Sequence, residues 1–132
     1  MEKALPQSVL IIDDEAHVRS YLGMLLRAMG VVQFIEAGNG EEGVALYREY
    51  RPALTLLDIN MPVMDGIEAL ELILQEDEDA AVVMMTAEAT RQAVETSGRL
   101  GAVHFLRKDT PRVEIQRLLG ELFVELFGEE VS

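Results

Sequence analysis

Short runs of consecutive apolar residues alternate along this chain with longer stretches whose apolar residues recur every three or four positions. The first pattern reads as buried strands and the second as amphipathic helices. Strands are expected at 8–12, 31–36, 54–58, 81–85 and 102–106. In the first helix Val18, Tyr21, Leu22, Leu25, Leu26 and Met29 share one face, and Gly30 ends it. Asn39, with Glu42 three residues on, caps a second helix that runs to about Tyr50, where Arg51-Pro52 breaks it. Asp65 and Glu68 repeat that signature before a third helix, roughly 66–76, with Ile67, Leu70 and Ile73 turned inward. A fourth helix at about 88–99 has mainly Ala and one Val inside, so it is weakly anchored. Thr110-Pro111 reads as the cap and first position of the last helix, which aligns Ile115, Leu118, Leu119, Leu122 and Leu126. Phe123 and Phe127 widen that apolar face beyond what one sheet contact needs, which makes them candidates for a docking or dimer face together with Val124.

Five strands alternating with five helices predict an α/β fold with a parallel sheet covered on both faces. Right-handed crossovers leave few topologies, and the order 2-1-3-4-5 is one of two common ones. A chain of 132 residues suits one domain with its core at about 8–127, and no internal repeat or interior linker is visible. At 49% apolar and 27% charged it is expected to be globular. There is no Cys, hence no disulfide or thiolate metal site, and residues 1–7 lack the apolar core of a signal peptide. A cytoplasmic location follows as the expectation, with no membrane span. The net charge of −13 argues against direct binding to nucleic acid and favours a protein partner or a metal cation.

The charge is not spread evenly. In the order 2-1-3-4-5 the switch point falls between the first and third strands, and ligands gather at that lip. Asp13 and Asp14 end the first strand and Asp58 ends the third, so three carboxylates meet in one crevice. Such a cluster repels itself unless it protonates or shares a cation, and an all-oxygen site with little room favours Mg²⁺. Thr86 and Lys108 end the fourth strand and follow the fifth on the same lip, offering a hydroxyl and an ammonium to phosphoryl oxygens. Together they describe a carboxylate that accepts a phosphoryl group with help from a divalent ion. Blander roles exist for each: Asp13 and Asp14 as caps of the first helix, Thr86 as a turn residue, Lys108 as a solvated cation, Phe105 as plain core. Met84-Met85 reads as core filler, and His17 and His104 lack metal-ligand spacing.

The elements V-L-I-I-D-D-E, A-G-N-G-E-E, L-L-D-I-N-M-P-V-M-D-G, M-M-T-A and H-F-L-R-K occur here in that order. In this spacing the sequence resembles the receiver domain of two-component response regulators, from about Val9 to Phe127, and is similar to chemotaxis receivers. The resemblance implies a flavodoxin-like doubly wound sheet of five strands with five helices. It further implies that Asp58 is the phosphoacceptor and that Asp13, Asp14, Asp58 and the Asn60 backbone carbonyl hold Mg²⁺, with Mn²⁺ as a substitute. It makes Lys108 the partner of the phosphoryl group, Thr86 and Phe105 the switch pair, and Asn60 and Glu88 the residues that tune hydrolysis. The implied phosphodonor is a histidine kinase or phosphotransfer protein, and the implied output face, which could also form a homodimer, is the fourth helix, fifth strand and fifth helix. Two positions depart from the family pattern: Asp109 stands where Pro usually follows the lysine, and Ala53 where an Asp is common. A competing class is a receiver-like interaction module that no longer switches by phosphorylation; all five site positions being intact favours the switching reading. A flavin-binding electron carrier of similar topology lacks the phosphate loop it would need.

Overall fold

The structure, a computed structural model, describes residues 4–128. Residues 1–3 and 129–132 of the expected single domain lie outside the described residues. Among the described residues ten elements alternate: β1 (Val9–Ile12), α1 (Ala16–Ala28), β2 (Phe34–Ala37), α2 (Gly40–Tyr50), β3 (Leu54–Asp58), α3 (Gly66–Glu76), β4 (Val82–Thr86), α4 (Arg91–Leu100), β5 (His104–Arg107) and α5 (Arg112–Phe127). The five strands form one parallel sheet in the order β2-β1-β3-β4-β5.

Successive residues of a strand point to opposite faces, and here both faces are apolar because both are covered. Val9, Ile11, Leu54, Leu56, Val83 and Met85 pack on one side with Leu22, Leu25 and Leu26 of α1 and Ile115, Leu119 and Leu122 of α5. Leu10, Ile12, Leu57, Val82 and Met84 pack on the other with Val44, Tyr47, Leu70 and Ile73 of α2 and α3. Met84 and Met85 are core, as expected, at 0% and 2% exposure. Thr55 shares the second face; its hydroxyl is fully buried without a hydrogen-bond partner. Replacing it with the isosteric valine removes an unpaid desolvation cost, so Thr55→Val should gain about 1 kcal/mol. A higher urea midpoint at unchanged slope would register it.

The caps at Asn39 and Asp65 form as expected, each accepting the N–H three residues on. Arg51 ends α2 in the left-handed region, and Gly30 follows α1 at φ 105°. Several boundaries differ from the sequence expectation. β2 starts at Phe34 rather than 31, because β1 begins at Val9, the register partner of Phe34, and the Val31 N–H returns to the Leu26 carbonyl at the end of α1. β5 starts at His104 rather than 102, since the Ala102 N–H closes the end of α4 on Ser97. α4 starts at Arg91 rather than 88, with Thr90 as its cap, because Glu88 is tied to the Thr86 side chain. Pro111, not Thr110, is the cap residue of α5, and no side chain caps it.

The weak anchoring of α4 is borne out: Ser97 is its one buried residue. The surplus apolar face of α5 is corrected in part. Phe123 is 1% exposed and belongs to the core, and Phe127 packs partly against it, so of these three residues Val124 is the exposed one.

Candidate functional site

Parallel strands end together at one edge of the sheet, and the polar residues that stop them are brought together there. Asp13 follows β1, Asp58 ends β3, Thr86 ends β4 and Lys108 follows β5. Asp13, Asp14 and Asp58 each place a carboxylate oxygen within 4.8 Å of the others. Asp13 and Asp58 are buried, while Asp14 is exposed. Lys108 Nζ lies 2.6 Å from Asp13 Oδ2 and 3.1 Å from Asp58 Oδ2, with its side chain only 16% exposed. The Lys108–Asp109 peptide is not cis, so the ammonium reaches both carboxylates without the proline usual after it.

The blander roles fare unevenly. The cap position of α1 belongs to Glu15, which makes no side-chain cap; Asp13 Oδ1 accepts the Glu15 N–H at 2.8 Å, folding the loop rather than capping the helix. Lys108 is an ion-pair partner and not a solvated cation. Thr86 does form a turn: its hydroxyl donates to the Glu88 carbonyl at 2.9 Å and accepts the Glu88 N–H at 3.2 Å. Asn60 donates from Nδ2 to the same hydroxyl at 3.2 Å, and its N–H reaches Asp58 Oδ1 at 3.2 Å. Phe105 is half-buried beside the second core cluster, near α4. His17 and His104 are exposed and stand outside the carboxylate group.

Burial and the neighbouring Asp13 charge push the Asp58 carboxyl up to about 6, against the pull of Lys108 and the Asn60 N–H. Burial works against the Lys108 ammonium, yet its hydrogen bond to Asp13 and the charge of Asp58 hold its pKa above the ordinary lysine value. Three carboxylates facing one ammonium leave an excess of negative charge. The donor set is all oxygen, and among the described residues both Oδ2 atoms are met by the Lys108 ammonium alone. That arrangement fits a small hard dication.

The loop from Asp58 to Gly66 is held close. Gly66 donates to the Ile59 carbonyl at 2.8 Å, and Met64 lies over Gly40. Val63 adopts φ 70° and is 97% exposed, an uncommon conformation for a β-branched residue. Sequence reasoning missed two contacts: the Asn60 side chain on Thr86, and Arg19, whose guanidinium reaches the Asp13 carbonyl at 2.6 Å. An arginine on the polar side of an amphipathic helix gives no local sign of such a contact.

A doubly wound sheet with a three-carboxylate pocket and a converging lysine at its switch point defines an α/β protein with an acidic, cation-ready site. The chain belongs to the response regulator receiver domain family, whose model matches residues 9–119. It is 38% identical over 107 residues to the transcriptional regulatory protein PdtaR of Mycobacterium tuberculosis, covering 81% of this chain and 52% of that protein. The chain thus spans about half the length of that relative. It is 36% identical over 112 residues to the chemotaxis protein CheY of Treponema pallidum, covering 83% of this chain and 78% of that one. Among solved structures it is similar to the CheX–CheY–BeF3–Mg²⁺ complex from Borrelia burgdorferi, with 32% identity, TM-score 0.85 and 91% of each chain covered. The receiver domain of a NarL regulator from Mycobacterium tuberculosis superimposes with TM-score 0.81 at 27% identity, over 90% of this chain and 97% of that one. Among the described residues no helix is long and apolar enough to cross a membrane.

Proposed function

We propose that this chain is a phosphorylation-dependent signalling receiver that accepts a phosphoryl group on Asp58 and answers by changing a protein-interaction surface. The observation that carries the reading is Lys108 bridging Asp13 and Asp58 inside the three-carboxylate cluster. A phosphorylated histidine on a kinase or phosphotransfer protein is the donor. An Asp58 carboxylate oxygen attacks phosphorus, the P–N bond breaks, and an acyl phosphate forms while the histidine nitrogen keeps the electron pair. Asp13, Asp14, Asp58 and the Asn60 carbonyl would hold Mg²⁺, or Mn²⁺ in its place, which would supply positive charge against the incoming phosphoryl oxygens. Lys108 pairs with the phosphoryl group, exchanging one carboxylate contact for a phosphoryl oxygen.

Thr86 and Phe105 form the switch. Thr86 gains a charged acceptor when Asp58 is phosphorylated, and its departure from Glu88 frees space beside β5 that Phe105 fills. The α4–β5–α5 face is the output surface, for a downstream protein or a second copy of this chain, and α4 shifts readily because so little of it is buried. Asn60, whose N–H reaches Asp58, and Glu88, whose backbone is tied to Thr86, are both exposed and tune hydrolysis of the acyl phosphate. The whole of residues 1–132 acts as one receiver domain, working in the cytoplasm.

The test is intact-mass spectrometry after incubation with acetyl phosphate. A single phosphoryl adduct is expected with Mg²⁺ and none with a chelator. An adduct of equal yield in the chelator would overturn the reading.

A further inference from the structure

We propose that Arg19 is a positioning residue of the cation site, acting through the peptide plane that joins Asp13 to Asp14. The inference rests on reading the carboxylate cluster as a cation site. Arg19 Nη1 donates to the Asp13 backbone carbonyl at 2.6 Å, and Arg19 Nε donates to Glu36 Oε1 at 3.1 Å. One guanidinium therefore ties α1 to the end of β1 and to β2, the edge strand of the sheet. Its side chain is 19% exposed, so the contact is partly shielded from water. The guanidinium also lies against Gly38, where an added Cβ would stand 3.6 Å from Nη1.

A peptide unit is rigid and planar, so fixing its carbonyl also fixes the direction in which the next residue leaves. The carbonyl held by Arg19 belongs to the unit whose N–H is that of Asp14. Asp14 is exposed, and its carboxylate has no hydrogen-bond or ion-pair partner among the described residues. Asp13 is held on every other side: its N–H by the Ala37 carbonyl at 3.1 Å, Oδ1 by the Glu15 N–H at 2.8 Å, Oδ2 by Lys108 at 2.6 Å. Arg19 supplies the remaining hold, and it is the one that orients Asp14. Lysine cannot replace it, since an ammonium has no planar fork with which to serve the carbonyl and Glu36 together.

The sign of the effect separates this role from simple electrostatics. Deleting Arg19 removes a cation and leaves Glu36 unpaired, so the site becomes more negative and charge alone predicts tighter Mg²⁺ binding. Loss of positioning predicts weaker binding, and outer-shell partners of metal ligands are typically worth about 10–100-fold in affinity.

Isothermal titration of the purified chain with Mg²⁺ tests this, comparing wild type, Arg19→Met, Arg19→Lys and Glu36→Gln. Arg19→Met and Arg19→Lys should both bind Mg²⁺ at least about tenfold more weakly. With acetyl phosphate, their half-saturating Mg²⁺ should rise while the rate at saturating Mg²⁺ stays near wild type, a split that general loss of structure would not give. Binding within about twofold of wild type, or tighter, overturns the proposal. Should the Arg19 variants fail to fold, Glu36→Gln decides at about 1 M salt, where the lost negative charge is screened within a few ångström while the guanidinium still loses its second hold: weaker Mg²⁺ binding there supports positioning and unchanged binding refutes it. Wild-type protein that binds no Mg²⁺ would instead refute the reading of the site on which the inference rests.

Discussion

Asp58→Asn is expected to take up no phosphoryl group and, without divalent cation, to be more stable than wild type at neutral pH. The first half follows from removing the acceptor oxygen. The second follows from what the fold does to that carboxyl. Its folded pKa of about 6 stands above the ordinary 3.8, because burial and Asp13 both disfavour the charged form. A raised carboxyl contributes stability that is fully present below the unfolded value and lost as pH rises through the folded one. Wild type without Mg²⁺ should thus lose roughly 2–3 kcal/mol between about pH 4 and pH 7 from this group. Asparagine does not titrate, so the variant escapes that loss while Asp13 keeps its ion pair with Lys108. Urea unfolding across this pH range should show two stability curves that converge in acid and separate toward neutrality. Curves that stay parallel would contradict the titration, and an adduct on the variant would contradict the acceptor assignment.

Gly66→Ala should cost on the order of 3 kcal/mol or more, although alanine is the better helix former. A Cβ there would lie 2.1 Å from the Asp58 carbonyl oxygen and 2.6 Å from the Ile59 Cα, both backbone atoms of the segment that carries the proposed acceptor. No side-chain rotation relieves such a contact, so α3 and the end of β3 must separate. Stability and acceptor geometry should fail together: a lower urea midpoint and a slower adduct yield in the surviving folded protein. A midpoint close to wild type would mean that the first turn of α3 moves aside cheaply.

The alternation of apolar runs and amphipathic stretches made all ten elements legible, because a parallel sheet buried on both faces writes its strands as unbroken Val, Ile, Leu and Met. Boundaries slipped where backbone hydrogen bonds overrode the apolar pattern, as at Val31 and Ala102, both drawn into helix ends. The carboxylates were legible since strand ends in this topology coincide in space. Phe123 was misplaced because an apolar side chain on a helix does not announce whether its neighbour is the sheet or another α5 residue. Arg19 and the Asn60 side chain were illegible for a different reason. Their partners, a backbone carbonyl and a hydroxyl on another strand, carry no pattern in one dimension.

On the proposed role of Thr86 as the switch, the three hydrogen bonds that hold its hydroxyl also set how quiet the molecule is at rest. Donation to the Glu88 carbonyl, acceptance from its N–H and acceptance from Asn60 must all be given up before Thr86 can leave the loop. At a net of about 0.5–1.5 kcal/mol each, release costs roughly 1.5–4.5 kcal/mol, and a value near the middle of that range, about 3 kcal/mol, puts the departed form on the order of 1% of resting molecules. A partner selective for that form would meet a background near a hundredth of the full response. In that role each of the three bonds removed would raise this leak severalfold, and the loop between β4 and α4 would fix the dynamic range of the signal as well as its shape.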